Sequence, residues 1–194
     1  MGATAGRTTL NGEGLQHQDG HSLLHASTVP SCRAWDPAYA YELATIIENG
    51  IEDMWSKDKD IFHYIMLYNQ NEQQPPKPKG IDADLMRGAY LFSEAKDGDS
   101  PVIRLLGSGP ILSHVREAAE LLKEYGVRSE VWSVPSYGEL RRAGLAAERA
   151  TRLDPQNPQS AFVSECFGDD VTTVAASDYI CLLYTSPSPR DVLR

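Results

Sequence analysis

No apolar run in the 194 residues approaches the roughly 20 needed to cross a bilayer, so no membrane-spanning helix is expected. The opening MGATAGRTTLNGEG lacks the basic-then-apolar pattern of a secretory signal. Cysteine is scarce: Cys32, Cys166 and Cys181 share no metal or redox spacing, which suits a reducing cytoplasm. Positive charge is in deficit, 18 Lys and Arg against 27 Asp and Glu, for a net charge of −9. A surface of that sign repels a phosphate backbone, so nucleic acid is excluded as an expected partner. No internal repeat is present, which removes solenoids and propellers. What remains is 41% hydrophobic and 23% charged, an ordinary globular composition with room for one domain or two small ones.

The periodicity alternates. Residues 1–26 are rich in Gly, Thr and His and read as a loop with one short helix. Residues 27–33 form a candidate strand. Asp36 followed by Pro37 predicts a helix start, with Ala40, Leu43, Ile47, Ile51 and Met54 as its buried stripe. Residues 61–68 (IFHYIMLY) read as a buried strand expecting neighbours on both sides. Residues 70–80 (QNEQQPPKPKG) carry three prolines and little apolar surface, the composition of a linker or domain boundary.

Beyond it come a short helix within 82–91, a strand over 102–106 and a helix entered through Gly107-Ser108-Gly109-Pro110 and ended by Gly126. Its expected buried stripe is Ile111, Val115, Ala118, Ala119 and Leu122. A strand over 130–134, a helix over 137–153 and two strands over 161–166 and 171–176 complete the series. Strands alternating with helices of this length imply an α/β fold with mainly parallel sheets and flanking helices.

The densest polar cluster is NGEGLQHQDGHSLLH, residues 11–25, where His17, His21 and His25 interleave with Glu13 and Asp19. Histidine exchanges protons near neutral pH, and a neighbouring carboxylate orients it or raises its pKa. Gly12, Gly14 and Gly20 allow sharp turns and close approach to a ligand. The competing reading is a glycine-rich surface loop with solvated histidines. A metal reading rests only on the i, i+4 spacing of His17 and His21, and the glycines argue against the regular helix it needs.

Gly107-Ser108-Gly109 lies where backbone N–H groups can hold an anion, but Leu112 stands where the dinucleotide fingerprint needs Gly or Ala. Tight strand–helix packing is the preferred reading there. Arg141, Arg142, Arg149 and Arg152 read as a solvated helix face, and His63 and His114 as structural residues without evident partners.

The strings GATAGRTTLNGEGLQHQDGHS, DPAYAYELATII, LLGSGPILSHVREAAELLKEYGV, EVWSVPSYGELRRAGLAAER and ASDY closely resemble the homodimeric bacterial pyruvate dehydrogenase family, in colinear order over nearly all of residues 2–180. The resemblance implies a partial transketolase-like fold of the thiamine-diphosphate enzymes. Residues 1–78 would be the C-terminal part of the pyrimidine-binding middle domain. Residues 79–180 would be an incomplete transketolase-like C-terminal domain. It further implies decarboxylation of pyruvate on thiamine diphosphate with magnesium, in a homodimer that acetylates the lipoyl group of dihydrolipoyl acetyltransferase. His17 would lie near the reacting carbon and move protons, Glu13 would fix the polar network around it, and His21 would support both from behind.

Three departures from the family pattern are Asn69-Gln70-Asn71-Glu72 for NENY, Ala150 and Asp154 for a Trp and a His, and Leu23-Leu24 where a further histidine is common. None touches Glu13 or His17. The family's GDG…N magnesium–diphosphate motif has no counterpart here, since Asp97-Gly98-Asp99 lacks its context. This stretch alone is therefore expected to be inactive, poorly soluble and unable to bind the cofactor. A transketolase, a 2-oxoglutarate dehydrogenase and a non-catalytic dimerisation module are the alternatives. The end of the sequence, CLLYTSPSPRD, back-translates to a string resembling a sequencing-library adapter, so residues 181–194 are expected to be non-native.

Overall fold

The computed structural model describes residues 3, 4, 8, 14, 17–168 and 170–179. Glu13 and the expected non-native tail lie outside them.

The first half builds a three-stranded parallel sheet from β1 (Ala3–Thr4), β2 (Cys32–Trp35) and β3 (Phe62–Leu67), in the order β1-β3-β2. The second half builds a four-stranded sheet, β4-β6-β5-β7, from β4 (Tyr90–Ser93), β5 (Val102–Gly107), β6 (Arg128–Ser133) and β7 (Thr172–Ala176). All of its pairs are parallel except β4 with β6, an antiparallel edge. Helices α1 (Ser22–Ser27), α2 (Ala40–Ile51), α3 (Asp82–Arg87), α4 (Ile111–Glu124), α5 (Tyr137–Leu153) and α6 (Phe162–Phe167) connect the strands, so the expected α/β class with mainly parallel sheets holds.

Several local expectations need correction. The strand expected at 27–33 sits later, at Cys32–Trp35, because Ser27 still belongs to α1. Asp36 does not cap α2, which starts at Ala40; its carboxylate is buried elsewhere. The first free N–H groups of that turn are satisfied instead by Glu42, whose Oε2 accepts from Ala38 N at 2.6 Å, and by Gln74, whose Oε1 accepts from Ala40 N at 2.9 Å. Residues 161–166 are not a strand but mostly helix α6. Phe162, Val163 and Phe167 turn inward there, while Glu165 pairs with Arg87 at 2.9 Å, a division that a short apolar run does not reveal by period alone.

The buried face of α2 is the opposite of the expected one. Glu42, Thr45, Ile46 and Gly50 face the sheet. Ile47, Ile51 and Met54 are 45%, 57% and 39% exposed, and Trp55, in the π-helical turn Glu52–Ser56 that continues α2, is 86% exposed. A side chain at Gly50 would press on His63, 3.2 Å away, so the helix approaches β3 closely. His63 is not partnerless: its ring lies parallel to that of Trp35, whose Nε1 donates to His63 Nδ1 at 2.8 Å. Strand β3 has the expected neighbour on each side, pairing with β2 along Phe62–Ile65 and with β1 at Met66 and Leu67. In α4, Leu112 takes the buried place expected of Ala118.

One core crosses between the sheets. Leu23, Ala34 and Met66 from the first half pack with Leu106, Val134, Tyr137, Leu140 and Tyr179 from the second. Polar contacts reinforce it. Arg33 pairs with Glu139 at 3.0 Å, and Ser136 Oγ donates to Ala34 O at 2.7 Å while accepting from Glu139 N to cap α5. Arg142 is no solvated cation: it donates to Pro30 O at 2.9 Å and Cys32 O at 3.0 Å.

Candidate active site

In parallel sheets the strand carboxyl ends leave loops and free backbone groups on one edge, where ligands bind. Here those edges meet. After β2, Asp36 N donates to Pro135 O at 2.7 Å, two residues beyond β6. After β5, Gly109 N donates to Asp36 O at 3.0 Å. The residue following β3, Tyr68, donates its hydroxyl to the Asp36 carboxylate. After β7, Tyr179 brings its hydroxyl within 3.4 Å of that of Tyr68.

Asp36 is 2% exposed, and its second oxygen has no partner among the described residues. Burial pushes its pKa from 3.8 up to about 7, against the pull of hydrogen bonds from Tyr68 and Ser108. Burial, and then the Asp36 charge, holds the Tyr68 hydroxyl protonated. A second buried carboxyl, Glu42, accepts from Tyr90 at 2.6 Å and Ser133 at 2.7 Å across the two halves, and burial raises its pKa as well. Glu42 follows Tyr41 in sequence and Asp36 follows Trp35, but no periodicity marks either acid as interior. Their burial follows from the meeting of two sheets that a linear pattern does not show.

The loop carrying the histidines leaves the carboxyl end of β1. Gly14, at φ +78°, opens a turn in which His17 N donates to Gly14 O at 3.2 Å. His17 is exposed, and its imidazole has no hydrogen-bond partner among the described residues. Asp19 is spent on structure: its Oδ1 accepts from His21 N and Ser22 N, both at 3.0 Å, and so caps α1. His21 and His25, exposed on that short helix, have ring centroids 6.4 Å apart. Leu23, at one of the family departures, is buried in the shared core and anchors α1. The structure thus leaves His17 and His21 exposed between β1 and α1, and does not bring His17 against another described titratable side chain.

The Gly107-Ser108-Gly109 turn is a packing device. A β-carbon on Gly107 would lie 2.9 Å from Leu112 Cα, and Ser108 is fully buried. Among the described residues no three metal-ligating side chains converge. What the described residues provide is an exposed imidazole on the turn at Gly14 and, separately, buried acids and tyrosines at the strand ends. That arrangement suits proton transfer to a group held by other elements. Nor, among the described residues, is any helix long and apolar enough to cross a membrane.

Comparison with known proteins agrees with this architecture. The family model described as pyruvate dehydrogenase E1 component middle domain matches residues 1–75, and the transketolase-like C-terminal domain matches residues 88–189. The chain is 54% identical to the pyruvate dehydrogenase E1 component of Pseudomonas aeruginosa and 45% identical to that of Escherichia coli K12, over 94% of its own length in each case. It spans about a fifth, 21%, of the length of each. Among solved structures, a transketolase mutant from Pichia stipitis superimposes with a TM-score of 0.62 at 20% identity, covering 90% of this chain and 23% of that one. At that identity the likeness speaks for the fold alone.

Proposed function

The chain belongs to the transketolase-like C-terminal domain family, whose model matches residues 88–189, and from this premise, with the middle-domain match over residues 1–75, we propose that it is a segment of a thiamine-diphosphate-dependent pyruvate dehydrogenase. The reading is carried by one observation: 54% identity to a pyruvate dehydrogenase E1 component over 185 residues, an extent that takes in both halves. In this proposal residues 1–78 complete the pyrimidine-binding domain and residues 79–180 supply part of the C-terminal domain. The whole protein is a cytoplasmic homodimer whose partner is the lipoyl domain of dihydrolipoyl acetyltransferase.

The reaction breaks the bond between the carbonyl carbon of pyruvate and its carboxylate. Carbon dioxide leaves, and the electron pair ends in the lipoyl disulfide, released as one thioester and one thiol. Bound thiamine diphosphate supplies the electron sink that makes the carbanion accessible. Its diphosphate and magnesium would be held by other parts of the longer protein, because the GDG…N pattern has no counterpart in this sequence. His17 is assigned to hydrogen-bond the former carbonyl oxygen of pyruvate and to move its proton. Glu13 orients that imidazole, and His21 supports the loop from α1.

The test is an assay of the full-length protein with thiamine diphosphate and magnesium. Pyruvate-dependent carbon dioxide release that stalls without a lipoyl acceptor is expected. Ketol transfer between sugar phosphates, with no turnover of pyruvate, would instead make the protein a transketolase.

A further inference from the structure

The stretch leading into the histidine loop is held from the other half of the molecule. Thr8, between β1 and the NGEGLQH turn, donates both its backbone N–H and its hydroxyl to one oxygen, Oδ2 of Asp178, at 3.2 and 3.0 Å. Asp178 is 5% exposed and lies two residues beyond the end of β7, at the carboxyl edge of the second sheet. Its neighbours fix it in turn. Ser177 Oγ accepts from Tyr179 N at 3.2 Å and lies 3.4 Å from Ser108 Oγ. Tyr179, 2% exposed, packs in the shared core with Leu23 of α1 and reaches Tyr68. Asp178 therefore holds Thr8, upstream of His17, by hydrogen bonds, while Tyr179 lies in the same core as Leu23, downstream of it.

A buried carboxylate accepting two donors from a single residue is an ordering contact, because charge-assisted hydrogen bonds are short and directional. A glycine-rich loop has much conformational freedom to lose, and such an anchor lowers the cost of holding one geometry. We propose that Asp178 is a positioning residue, which acts through Thr8 on the chain that leads to His17. Its catalytic consequence rests on the function proposed above, whereas its structural part does not.

The two parts are tested separately. In the 194-residue chain, amide exchange at Thr8 should accelerate about tenfold in Asp178→Ala, the scale of one hydrogen bond to a charged group. Asp178→Asn, which keeps an acceptor oxygen, should retain most of the protection. Wild-type exchange at Thr8 in Asp178→Ala, with circular dichroism unchanged, would overturn the proposal. If Asp178→Ala fails to fold, Thr8→Val decides, since it deletes only the hydroxyl donor. Faster exchange at position 8 in that variant supports the anchor, and unchanged exchange overturns it.

In the full-length enzyme, Asp178→Ala should lower kcat about tenfold. The KM for pyruvate and the pH profile should stay near wild type, and Asp178→Asn should recover most of the rate. A residue that merely stabilised the fold would lower the yield of active protein without this split. If His17→Ala keeps full turnover, the functional reading fails while the Thr8 measurement still stands. If His17→Ala is impaired and Asp178→Ala is not, the positioning role alone fails.

Discussion

A β-carbon placed on Gly109 would lie 2.4 Å from Oδ1 of Asp36 and 2.8 Å from the Tyr68 hydroxyl. Gly109 also adopts φ +49° and donates its N–H to Asp36 O, so the strand–helix turn of one sheet is fitted against the buried acid of the other. Gly109→Ala should destabilise the chain by roughly 2–4 kcal/mol, from steric overlap added to a disfavoured backbone region. Urea unfolding checks this. A loss under about 0.5 kcal/mol, the usual range for a surface substitution, would contradict the described contact.

Asp36 makes stability depend on pH with an unusual sign. Its pKa rises on folding from 3.8 to about 7, so the native chain holds the proton more tightly than the unfolded one. The stabilisation is complete below about pH 4 and is lost as pH rises through 7. Asp36→Asn mimics the protonated acid and should remove this dependence. The stability of wild type relative to the variant should therefore fall between pH 4 and 8, by up to roughly 4 kcal/mol. Parallel curves across that range would show that Asp36 is not the titrating group.

The exposed stripe Ile47, Ile51, Met54 and Trp55 predicts self-association of the 194-residue chain. Ile51→Asp with Trp55→Ser should raise solubility several-fold and shift sedimentation toward monomer, with little change in unfolding midpoint. A large drop in that midpoint would mean that the stripe packs within the chain.

Residues 181–194 are expected to make no stabilising contact. Their deletion should leave the thermal midpoint within about 1 °C, as a non-native stretch requires. The transketolase-like match continues to residue 189, which sharpens the test. A clear drop in midpoint would show that the tail packs as native chain.

Much of the second half was legible in the sequence because its signals are local. Tyr137–Leu153 has a matching period, and Ser136 with Glu139 supplies a capping pattern at its start. Gly107 and Gly109 mark a turn that only small residues fit. The histidine loop was legible as composition, and its helix cap Asp19 was not separated from candidate catalytic acids because both are carboxylates near histidines. The face of α2 was misread for a physical reason. Its apolar stripe faces outward and its buried face carries Glu42 and Thr45, satisfied by Tyr90, Ser133 and Asp82 across the two halves. Hydrophobic periodicity identifies an apolar stripe, but not what the stripe packs against. Likewise Asp36-Pro37 has the form of a helix start, and only the approach of Tyr68 and Gly109 shows why the acid is buried instead.

The most direct test of the account is turnover of pyruvate by the full-length enzyme carrying His17→Ala, with the fold checked by circular dichroism. His17 is exposed on its turn, so the substitution should leave folding unchanged. Turnover should fall roughly 10²- to 10⁴-fold, the scale of a lost acid–base group. Wild-type turnover in a folded His17→Ala enzyme would contradict the central claim that this loop moves the proton.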